Sequence, residues 1–167
     1  MYNRYNGRKY NNRYNVRGVN GGGRDCRIEN PRTTDYGPEP FVINIEEATC
    51  HNDNFRRALW TGTHLQLTLM SIPSGGEIGL EMHHDTDQFL RIEGGEGVVK
   101  MGCQKERLDF CRHISSGDAI FIPAGYFHNL LNTGNCPIKL YSLYAPPNHP
   151  RGTLQQTKEI ADAKEHH

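Results

Sequence analysis

Residues 117–132 read GDAIFIPAGYFHNLLN, and the way this stretch is punctuated decides the fold. Ser116-Gly117-Asp118 is a turn signal, and Ala119–Ile122 after it is an apolar run of strand length. Gly117, Pro123, Gly125, His128 and Asn132 follow one another with five, one, two and three residues between them. Moving outward, Leu65, Leu67 and Leu69 alternate with Gln66, Thr68 and Met70, and Ile78, Leu80 and Met82 alternate with Gly79, Glu81 and His83. Period two of this kind belongs to strands with one buried face. Gln88–Glu93, Gly97–Met101 and Ile138–Tyr144 extend the pattern, with turns at 73–76, 94–95 and 132–135 between the runs. Many short strands at this spacing predict an all-β barrel or sandwich.

A second stretch, residues 75–94, reads GGEIGLEMHHDTDQFLRIEG. Together the two stretches resemble the paired signatures of the cupin family. The second signature matches at Gly117, Pro123, Gly125, His128 and Asn132. The first asks for Gly, five residues, His-x-His, three or four residues, Glu, six residues and Gly. Counted from Gly75 with the shorter gap, it falls on Glu81, His83, Asp87 and Gly94, so Glu81 replaces a histidine and Asp87 a glutamate. The resemblance implies a cupin double-stranded β-helix, a jelly-roll barrel, over about residues 58–146. It also implies that Glu81, His83, Asp87 and His128 meet as the ligands of a divalent metal. The segment KLYSLYAPPNHP, residues 139–150, is similar to small bacterial cupins labelled sugar-phosphate (mannose-6-phosphate) isomerase-like.

Strand parity supports part of this independently. Glu81 and His83 share one face, while Leu80, Met82 and His84 take the other. A slip of one residue would present His84 instead of His83, but it would also turn Glu81 outward and Leu80 and Met82 inward. Two imidazoles and two carboxylates form a hard donor set that favours Mn or Fe, with Zn or Ni competent. Arg91 shares the parity of Asp87 and Phe89, so it is expected to point inward, to neutralise the carboxylates or receive an anionic group. Glu81, Asp87 and Arg91 are thus the candidate catalytic groups for an isomerase-like reaction on a small polar molecule. An iron-dependent reaction with oxygen is the second catalytic option. Trp60, Phe89, Phe121 and Phe127 read as core aromatics or pocket walls, and His149 has no partner in the sequence.

The 167 residues carry no net charge, but residues 1–24 hold five Arg and one Lys without an acid, leaving −6 on the rest. This Tyr/Asn/Arg/Gly-rich segment lacks the apolar content to fold alone and is expected to be a disordered tail. Its composition offers a non-catalytic alternative, a self-assembling, spore-coat-like protein whose tails join subunits. Residues 25–57 form an irregular lead-in broken by Pro31, Pro38 and Pro40, with a helix expected over Ile45–Arg57, and residues 147–167 form a C-terminal extension. A homo-oligomer, a dimer or a larger assembly, is expected. The five cysteines show neither metal spacing nor an even count, so reduced, mostly structural thiols are expected. Without an apolar leader or spanning segment the expected setting is the cytoplasm, with the spore surface following only from the tail. Gly94, Gly95 and Gly97 do not precede a helix, which argues against a nucleotide cradle, and no element suggests specific nucleic-acid binding.

Overall fold

A computed structural model describes residues 34–165; the tail 1–24, Cys26 and the terminal His166-His167 lie outside the described residues. In chain order the elements are α1 (Ile45–Cys50), β1 (Arg56–Thr61), β2 (Gln66–Ile72), β3 (Asp87–Gly94), β4 (Glu96–Gly102) and β5 (Phe110–Ser115). They continue with β6 (Ala119–Ile122), β7 (Phe127–Asn132), β8 (Ile138–Ala145), β9 (Leu154–Gln155) and α2 (Lys158–Glu165). All strand pairs are antiparallel. They form a six-stranded sheet ordered β6-β3-β8-β2-β1-β9 and a three-stranded sheet ordered β5-β4-β7. This is the expected jelly-roll barrel.

The core lies between the sheets, where Met70, Ile72, Leu90, Ile92, Leu130 and Leu140 are buried. Helix α1 packs over β8, β3 and β2, so β2 is covered on both faces and departs from simple alternation. Among the described residues no helix is long and apolar enough to cross a membrane.

The helix expected over Ile45–Arg57 is shorter than that. Asn44 caps its start by accepting a hydrogen bond from the Glu47 N–H at 3.1 Å. It stops at Cys50 because Asn52 ties itself to the backbone of Asn54, accepting its N–H and donating to its carbonyl. The chain leaves that turn extended, which puts Arg56 and Arg57 into β1. The strand expected around Ile78–Met82 survives only as isolated bridges, Glu77 to Leu131 and Glu81 to His128. Gly79 interrupts it with φ +103°, and its N–H goes to the Asn129 Oδ1 instead of to a neighbouring strand. Beyond residue 146, β9 adds Leu154 and Gln155 to the edge of the large sheet.

Phe121 is 70% exposed and meets Phe89 edge-on outside the sheet, at a centroid distance of 5.1 Å. The four described cysteines, Cys50, Cys103, Cys111 and Cys136, are free, as expected of reduced thiols, and all are exposed. Leu90→Ala should therefore cost roughly 2–5 kcal/mol of stability in urea unfolding, whereas Phe121→Ser should cost less than about 1 kcal/mol.

Candidate metal centre

The interrupted strand holds Glu81 in place. Glu81 N–H donates to the His128 carbonyl at 3.0 Å, and His128 N–H returns a bond to the Glu81 carbonyl at 2.9 Å. This reciprocal pair joins the 77–81 segment to β7 and sets their side chains beside each other on the inner face. Two residues on, the His83 carbonyl accepts from the Gly125 N–H at 2.7 Å, so the turn after Pro123 fixes the second histidine. His84 is exposed, which settles the register in favour of His83.

Glu81 Oε2 lies 3.7 Å from His83 Nε2 and 3.7 Å from His128 Nε2. All three atoms are buried and lack a hydrogen-bond partner among the described residues. One ligand atom from each residue falls within 4.8 Å of the others, a group that could hold a metal ion. His128 Nδ1 sits 3.0 Å from the Tyr126 carbonyl. A carbonyl can only accept, so Nδ1 carries the proton and the Nε2 lone pair is left facing the centre. Burial is the main force lowering the pKa of His83; Glu81 opposes it, and nearby His128 and Arg56 reinforce it. A neutral imidazole is the form that binds metal.

The other Glu81 oxygen is engaged. Arg56, with 0% side-chain exposure, donates from Nη2 to Glu81 Oε1 at 2.8 Å and from Nη1 to Gln155 Oε1 at 3.1 Å. Tyr144, fully buried, and His149 pack around this group. The Tyr144 ring meets the edges of His83 at 5.7 Å and His149 at 5.0 Å, centroid to centroid. Gln66 holds His149 by its backbone, accepting its N–H at 2.9 Å and donating to its carbonyl at 2.8 Å. Burial, then Arg56 and His83, push His149 down to about 3. A cavity of about 870 Å³ opens above this group, lined by Glu81, His83, Leu80, Met82, His149 and Leu154 among others.

Two expected site residues stand elsewhere. Leu90 and Ile92 point into the core, so the opposite parity of β3 turns Asp87, Phe89 and Arg91 outward. Asp87 is exposed and accepts the Ala124 N–H at 2.9 Å, and Arg91 faces Glu93 at 3.6 Å. Gln88, 3% exposed, is the inward residue and donates to Ser142 Oγ at 3.0 Å. With a gap of four residues after His83, Gln88 takes the glutamate position of the signature, and Gly95 closes it. The parity of Leu90 and Ile92 was the signal for this register. The inward arginine is Arg56 instead of Arg91, and no sequence pattern marked it.

A family model described as Cupin domain matches residues 68–144. The Bacillus subtilis protein YrkC is 60% identical over 131 residues, covering 78% of this chain and 70% of YrkC. A protein of Acanthamoeba polyphaga mimivirus is 38% identical over 116 residues, 68% of this chain and 70% of its own length. The solved structure of BH2720 from Bacillus halodurans superposes with a TM-score of 0.77 at 59% identity, covering 78% of this chain and 98% of that one.

The His149 environment generates a pH prediction. Its folded pKa of about 3 lies below the ordinary 6.5, so the unfolded chain takes up the proton first as pH falls. The stability owed to neutral His149 is complete above pH 6.5 and drains away toward pH 3. Across that window it should fall by about 1.4 kcal/mol per pH unit. Urea unfolding at several pH values should show a shallower slope for His149→Gln, and equal slopes would refute the assignment.

Proposed function

Because the chain belongs to the cupin superfamily, we propose that it is a mononuclear metal enzyme acting on a small polar molecule held above Glu81, His83 and His128. The observation that carries this reading is the meeting of three unpartnered buried donor atoms at one point. Leaving a carboxylate oxygen and two imidazole nitrogens buried together without partners is costly, and a cation removes that cost. One oxygen and two nitrogens suit Mn or Fe(II) first, with Zn and Ni competent. When bound, the ion would supply a Lewis acid for a carbonyl or hydroxyl oxygen and, as iron(II), redox capacity.

The protein's own groups prepare the site. Tyr126 fixes the tautomer of His128, the Gly125 N–H anchors His83, and Arg56 holds Glu81 with one oxygen turned inward. Leu80, Met82 and Leu154 make part of the cavity apolar, and His149 lines it as well. An isomerase-like reaction on a sugar phosphate also needs a base beside the substrate. Of the carboxylates expected to serve, only Glu81 faces the cavity, and Arg56 already occupies its Oε1. The remaining set, two histidines and one carboxylate, is the donor pattern of non-haem iron(II) oxygenases. This favours the oxygen-dependent option over the isomerase.

Elemental analysis of the purified protein, followed by oxygen uptake with iron(II) and proton exchange with manganese, separates the two chemistries. His128→Ala should lower Mn²⁺ affinity by at least about 100-fold, whereas Asp87→Asn should change it less than about threefold. Equal losses in the two variants, read by calorimetric titration, would sink the three-residue site.

A further inference from the structure

We propose that Arg56 makes this cavity selective for a small, doubly negative chelating molecule, an inference that rests on the metal reading above. Among the described residues lining the cavity, Glu81 is the one carboxylate. Its charge is balanced by Arg56 at 2.8 Å, behind a side chain with 0% exposure. The two form a neutral pair, and the histidines that complete the centre are neutral as metal ligands. A divalent ion placed there meets no net negative charge from this pair of side chains. Arg151 on the cavity wall is also cationic, with the Asp35 carboxylate near enough to offset part of its charge.

The charge of Arg56 also reaches beyond its partner. Its guanidinium sits against Glu81, which lines the cavity together with His83 and His149. A unit charge buried beneath the cavity wall is screened less than one in open water. The compensating charge is therefore left for the bound molecule to bring. Three protein donors would leave a bound ion open to further ligands, so a molecule with two oxygens in chelating positions fits. A volume of about 870 Å³ admits a compact ligand with room to spare.

The test uses three molecules of one skeleton, malonate, malonamate and malonamide, which carry two, one and no negative charges. The full chain is first titrated with Mn²⁺ alone, and each molecule is then titrated calorimetrically into the Mn²⁺-loaded protein and into Mn²⁺ in buffer. The preference for malonate over malonamate should exceed that of the free ion by at least about tenfold. Arg56→Met, and Arg56→Gln if the first variant fails to fold, should bring the preference within about threefold of the free ion, while Arg56→Lys should keep it. Mn²⁺ binding without an excess preference in the unmodified chain, or an excess that persists in the uncharged variants, overturns the inference while the metal site stands. No Mn²⁺ binding at all removes both readings together.

Discussion

The pair of backbone hydrogen bonds between Glu81 and His128 is the constraint on which the rest depends. Residues 75–81 run beside β7 from Gly75 and Gly76 against Asn132, through Ile78 against Leu130, to Glu81 against His128. They act as a fourth, interrupted strand of the small sheet and close one side of the barrel over its core. A regular strand would spend this edge on packing alone. Here Gly79 breaks the ladder, and the one residue pair beyond the break, Glu81 and His128, carries polar side chains that face each other. Closing the barrel and assembling the centre are one event.

That coupling sets the energetic character of the interior. Arg56 and Glu81 are both withdrawn from water, and such a pair stabilises little in net terms because desolvation offsets the attraction. Breaking it is another matter: a lone charge left inside costs roughly 3–5 kcal/mol. Gln155 supplies Arg56 with a further acceptor from β9, so the shortest strand of the large sheet belongs to the polar interior as well as to its edge. The apolar core around Leu90, Ile92 and Leu140 carries the stability, and this frees the other end of the barrel for groups that would not stabilise a fold alone.

How much of this was legible in the sequence differs from residue to residue, for physical reasons. His128 was readable because Pro123, Gly125 and Asn132 pin its place through turn geometry, which is local. Glu81 and His83 were readable through period two. Asp87 and Arg91 were misplaced because two gap lengths fit the signature, and a one-residue difference reverses the face of every side chain on β3. Leu90 and Ile92, fully buried, decide that register by hydrophobic parity, whereas the conspicuous charges pointed to the other face. Arg56 was invisible for a different reason. Its partners Glu81 and Gln155 lie 25 and 99 residues away in the chain, and an arginine beside a second arginine reads as solvated surface. Only the closed sheet shows which of the two turns inward.

The segment that walls the cavity, residues 148–155, is held at both ends. Gln66, itself fully buried, grips the backbone of Asn148 and His149, and the β1 pairing of Leu154 and Gln155 grips the other end. Between them Thr153 closes a turn on Pro150 through two hydrogen bonds to one carbonyl. A molecule entering the cavity thus meets a rim whose conformational entropy was surrendered when the chain folded. Such a rim sorts its guests by shape and charge on arrival, as a mould does, instead of wrapping around whatever it catches.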